Sequence, residues 1–197
     1  MWLMPMAKPN LGDKLRAHFD DQNGFDPAKT MDHLFDVLPG LMIGLPGDLP
    51  PLALAFLRHG DDHYQVVYDL SDAPMGDAQM RAAALRQVGA NIATEDGDLV
   101  LAAFLSFGYL ATAQNRSDLP AKLADYPGRV EVCLGAGVDS SGRDYFLRKA
   151  VLRAPGPGDD HERVIKAYRD MPTDHDLDIR HNVARNIGLG YARAITD

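Results

Sequence analysis

The apolar pattern of this chain predicts an α/β fold (α+β in layout) forming a single domain. It is expected to hold a mixed β-sheet of about five strands, with helices packed on it and a C-terminal helical pair. Three stretches carry this expectation. Leu49 to Ser71, LPPLALAFLRHGDDHYQVVYDLS, reads as two strands joined by a polar turn. Val130 to Leu152 reads as a second hairpin, turning at Asp139-Ser140-Ser141-Gly142. Between them, Leu99 to Leu105 is an uninterrupted apolar run bounded by turn residues, as a buried central strand would be.

Taken in order, residues 1–10 read as a loose leader, and Leu11 to Asp21 suits a short amphipathic helix ended by Asn23-Gly24. Thr30 is placed to cap a second helix, in which Met31, Leu34, Phe35 and Leu38 recur at helical spacing and Pro39-Gly40 is the expected stop. Leu41 to Pro51 reads as an ordered loop. In the first hairpin, Leu52 to Leu57 has the unbroken apolar character of a strand covered on both faces, and Gly60 can supply positive φ at the turn. From His63 on, Tyr64, Val66, Tyr68 and Leu70 alternate with polar positions such as Gln65 and Asp69. Asp77 is the expected N-cap of a helix from Ala78 to Val88, with Gly89 at its C′ position.

Leu99 to Leu105 has one competing reading, a short buried helix, because its leucines and alanines are good helix formers. Ser117 or Asp118 is placed to begin a helix running to Tyr126, ended by Pro127-Gly128. Pro155-Gly156-Pro157-Gly158 marks the clearest boundary, dividing an α/β domain at 1–155 from a helical extension at 156–197 packed on it. In that extension a helix is expected from Asp159-Asp160 through Tyr168. Thr173 with Asp176 resembles a capping box for a last helix, which Leu177, Ala184, Ile187 and Tyr191 would line.

Composition limits the function classes. A 46% hydrophobic fraction suffices for a sizeable core in a chain of 197 residues. A net charge of −8 argues against non-specific nucleic-acid binding or an anionic membrane surface as the main partner. Cys133 is the sole cysteine, so neither an intrachain disulfide nor a cysteine-rich metal site can form, and its apolar surroundings read as those of a buried thiol. No apolar run reaches the ~18 residues that span a bilayer, and the start lacks a signal-peptide core, so a cytoplasmic protein is expected.

The stretch from Met31 to Asp72, with LPGLMIGLPGDLPPLALAFL and then QVVYDL, resembles the start of the DUF4192 family of uncharacterised actinobacterial and phage proteins. The run at Leu99 to Phe104 and the segment VEVCLGAGVDSSGRDYF are similar to later segments of that family. There the turn is followed by Gly-Arg and aromatics, matched here by Gly142, Arg143, Tyr145 and Phe146. The resemblance covers roughly residues 30 to 150. Leu45, Tyr68 and Ser71 depart from the family's usual aromatic, arginine and proline. It implies a bacterial or phage setting and no activity.

Two clusters hold metal-ligand chemistry. His59, Asp61 and His63, with Asp62, surround Gly60, and Asp174, Asp178 and His181 fall at i, i+4 and i+7 of a helix. A divalent ion could use carboxylate and imidazole ligands there. The competing reading is ordinary turn chemistry for the first cluster and dipole-compensating acids for the second. The glycines at 40, 44 and 47 lack the following Lys-Ser/Thr of a P-loop, and Gly135-Ala136-Gly137 leads into a hairpin, so no cofactor is predicted. No serine elbow is present, and Ser140-Ser141 reads as turn. Arg180, Asn182, Arg185, Asn186 and Arg193 give the last helix a mildly basic side.

With no catalytic constellation evident, the expectation is a non-enzymatic binding or protein-interaction module, partner-bound or self-associating. A small metal-dependent hydrolase or phosphoesterase using the His/Asp clusters is the first alternative. A nucleic-acid-associated protein is the second.

Overall fold

A computed structural model describes residues 25–44, 50–111, 120, 125–155, 163–171 and 183–196. In chain order its elements are α1 (Pro27–Met42), β1 (Leu52–His59), β2 (Asp62–Asp69), α2 (Ala78–Ile92), β3 (Asp98–Leu110), β4 (Val130–Asp139), β5 (Asp144–Pro155), β6 (Arg163–Asp170) and α3 (Arg185–Ala194). The strands form one six-stranded sheet in the order β2-β1-β3-β4-β5-β6. The α+β class, both hairpins and the central strand are those expected. The strand count is six rather than five. Every neighbouring pair is antiparallel, so the sheet is wholly antiparallel rather than mixed.

The extra strand is β6, where a helix from Asp159 to Tyr168 is expected. Ile165 and Tyr168 are three apart, a helical spacing, yet both belong to the same sheet face. A bulge reconciles the two. Arg153 pairs with Ile165 and Leu152 with Ala167, so Lys166 is an additional residue in β6 that shifts the two-residue alternation by one. The strand-forming Val164, Ile165 and Tyr168 then complete the ladder beside β5.

On one face of the sheet lies α1. Its N-cap is Asp26 rather than Thr30: Asp26 Oδ1 accepts from the amides of Ala28 (2.9 Å) and Lys29 (3.3 Å), Pro27 follows, and Thr30 is buried inside the first turns. Pro39-Gly40 does not stop the helix, which continues to Met42. Pro39 has no N–H for the Phe35 carbonyl, and Lys149 Nζ donates to that oxygen instead at 3.1 Å. Met31, Leu34, Phe35 and Met42 pack on Leu54, Leu101, Leu105 and Ile165. Close approach relies on glycine: a Cβ at Gly135 would stand 2.7 Å from Phe35 Cε1, and one at Gly137 2.7 Å from Met31 Cε.

The opposite face carries α2 and α3. Its strands present the small Ala53, Ala55, Ala102 and Ala136 to Leu85, Val88, Ile92 and Ile187 of the helices. Asp77 caps α2 as expected, its Oδ1 accepting from Gln79 (2.9 Å) and Met80 (2.8 Å). Gly89 is not the C′ residue. The helix runs through it to Ile92, and a Cβ there would meet Ile187 O at 2.0 Å. Gly190 of α3 is equally close to Arg86 O, so the two helices cross backbone to backbone. The Tyr191 hydroxyl then accepts from Leu99 N at 3.2 Å, joining α3 to the start of β3. Ala184, Ile187 and Tyr191 face this core as expected, while Leu177 lies outside the described residues. So do the helices expected at Leu11–Asp21 and, for the most part, at Ser117–Tyr126. Among the described residues no helix is long and apolar enough to cross a membrane.

Candidate binding groove

The two helices do not cover the full length of the face they share. In β3, the residues from Val100 to Leu105 are buried, whereas those from Ser106 to Leu110 are only half-buried. Beyond the helices the sheet forms the floor of a groove of about 450 Å³. Phe104, Ser106 and Gly108 of β3 contribute to that floor with Leu134 of β4 and Phe146 of β5, while Met75 and Val183 come from the segments leading into α2 and α3. This size falls within the range of sites that hold a small molecule or an anchoring side chain.

Gly108 decides the depth of the groove. Glycine inside a strand weakens it unless something needs the space. At Gly135 and Gly137 that something is α1. At Gly108 a Cβ would have nothing within 4 Å, so the omitted side chain leaves open volume above the strand. Among the described residues, the charged side chains lining the groove are Arg81 and Arg148, both cationic. Arg81 is held at the rim by its Nη1 donating to Met75 O at 2.8 Å. An apolar floor with two guanidinium groups suits an apolar group that carries a negative charge.

The residues singled out from the sequence lie elsewhere. His59 and His63 share the β1–β2 hairpin but occupy adjacent cross-strand pairs, His59 with Asp62 and His63 with Arg58, so they project from opposite faces. His59 Nδ1 lies 3.2 Å from Asp96 Oδ1, and His63 stacks on Phe25 with centroids 5.1 Å apart. Asp61 is exposed in the turn. Among the described residues no group of three or more His, Cys, Asp or Glu side chains could hold a metal ion. Asp174, Asp178 and His181 lie outside the described residues. On α3, Arg185 Nε donates to Asp144 Oδ1 at 2.8 Å, and Asn186 Oδ1 accepts from Arg86 Nε at 3.3 Å, so part of the basic side is engaged within the protein.

Burial pushes the Cys133 thiol up to about 12, a rise that Lys149 only partly opposes, which leaves it without thiolate chemistry near neutral pH. Sequence reasoning missed the groove because its floor comes from three separate strands. The available signal was Ser106 and Gly108, two small residues interrupting one face of an otherwise large apolar run. No protein-family model, curated protein or solved structure matches the chain.

Proposed function

We propose that this chain is a non-enzymatic, cytoplasmic binding module that holds an apolar, negatively charged segment of a partner protein in the groove beyond α2 and α3. The observation that carries the reading is the open floor at Ser106 and Gly108, an apolar space whose charged lining among the described residues is Arg81 and Arg148. An anchor side chain buried in a pocket supplies most of the affinity in such interfaces, and a charge pair at its edge sets orientation. The likeness to the DUF4192 family adds a bacterial or phage setting.

The test is a paired capture from the native host with the wild-type chain and a Gly108→Phe variant. The glycine's backbone accepts a side chain without strain and its surroundings leave room for one, so the phenylalanine fills the groove and leaves the fold intact. A partner retained by the wild type and lost by the variant is expected. A partner retained equally by both would place the interaction elsewhere.

A further inference from the structure

We infer that a second, polar cleft, at the far end of the α1-bearing face, binds the terminal phosphate of a small phosphate monoester. The cleft has a volume of about 350 Å³, and Arg129, Glu131, Arg153 and Arg163 supply its charged walls, with Tyr109 beside them. Glu131 is committed to Arg153: Arg153 Nε donates to Oε1 at 2.8 Å and to Oε2 at 2.9 Å, and Nη2 reaches Oε1 at 2.5 Å. The side chains of that pair are 8% (Arg153) and 18% (Glu131) exposed, and the pair holds the back wall in place.

The two outer guanidinium groups meet only neutral acceptors. Arg129 Nη1 donates to Tyr126 O at 3.2 Å, and its Cζ lies 5.5 Å from the centre of the Tyr109 ring. Arg163 Nη2 donates to Arg153 O at 3.3 Å. Among the described residues neither forms an ion pair with a carboxylate. Among the described residues, the cleft thus sets Arg129 and Arg163 beside the Arg153–Glu131 pair in a chain of net charge −8.

Like charges gathered in one cleft are held there at a cost unless an anion joins them, and the guanidinium fork matches phosphate oxygens. The two guanidinium groups that meet only neutral acceptors, Arg129 and Arg163, fit the dianion of a terminal monoester better than the single charge of a phosphodiester. The overall acidity of the chain opposes a long polyanion as well. The Tyr109 ring offers an apolar surface for whatever carries the phosphate.

Calorimetric titration at low salt with inorganic phosphate and with adenosine monophosphate tests this. Saturable one-to-one binding is expected. It should weaken about tenfold in Arg129→Gln and in Arg163→Gln, and stay unchanged in Lys166→Gln, whose exposed cation does not line the cleft. Amide resonances of the wild type give a readout independent of any variant: phosphate should shift those of Arg129, Glu131, Arg153 and Arg163 and leave those of α2 unmoved. The proposal is overturned by absence of saturable binding, by an equal loss in Lys166→Gln, or by shifts centred on another surface. Equally tight binding of an oligonucleotide lacking terminal phosphates would also overturn it, in favour of a nucleic-acid site.

Discussion

Asp139 shows how much one side chain organises. It sits at the β4–β5 turn, where its Oδ1 accepts from the Ser141 amide (2.9 Å), the Ser141 hydroxyl (2.6 Å) and the Arg143 amide (3.0 Å). Its Oδ2 accepts from the Tyr145 hydroxyl at 2.8 Å. Burial works to raise the pKa of this carboxyl, but the hydrogen bonds from Ser141, Tyr145 and Arg143 outweigh it and hold the group below the usual carboxylate range. The folded value therefore lies below the unfolded one, near ~3.9. The stability that follows is complete above the unfolded value and is lost as pH falls through the folded one. Asp139→Asn is expected to lower stability by about 1–2 kcal/mol near neutral pH, with the deficit closing on acidification. Urea unfolding at two pH values measures it, and a deficit independent of pH would mean that packing, not ionisation, was lost. The turn itself was legible, since Asp-Ser-Ser-Gly between alternating strands has one reading, and Gly142 takes the positive φ (84°) that the motif needs. The network was not, because Tyr145 reaches Asp139 only once the strands are paired.

Among elements, legibility divides by whether a glycine or proline acts locally. Read as punctuation, Gly89 ends α2 and Pro39-Gly40 ends α1. Tertiary contacts overrule both, Lys149 by supplying the donor that Pro39 lacks, and α3 by packing onto Gly89. Alanine is the better helix former by ~1 kcal/mol, so local propensity alone predicts that Gly89→Ala stabilises α2. The contact with Ile187 O predicts the opposite. The helices must separate, and a net loss of about 1–3 kcal/mol is expected from thermal or urea unfolding. A gain in stability would show that the α2–α3 crossing is loose. β6 was misread for a comparable reason: its bulge exists only against β5, and without the partner strand Ile165 and Tyr168 look helical.

At the scale of the whole molecule, the class of fold followed from patterning alone, because hydrophobic alternation needs no knowledge of neighbours. Strand order did not, since β2, β1 and β3 are arranged by long-range pairing across the α2 crossover. The groove is a property of that arrangement. It is the remainder of one sheet face after two short helices, pressed close by alanine and glycine, have covered the rest. The metal clusters drew notice because their members are near in sequence, whereas strand alternation puts His59 and His63 on opposite sides. The open space at Gly108 is floored by apolar side chains and lined by Arg81 and Arg148, and the proposed function requires it to accept an apolar anion. Fluorescence titration with anilinonaphthalene sulfonate, itself an apolar anion, tests this most directly. Saturable one-to-one binding to the native wild-type chain is expected, and it should disappear in Gly108→Phe while the variant unfolds at an unchanged denaturant concentration. Equal binding by the two proteins, or none by either, would contradict it.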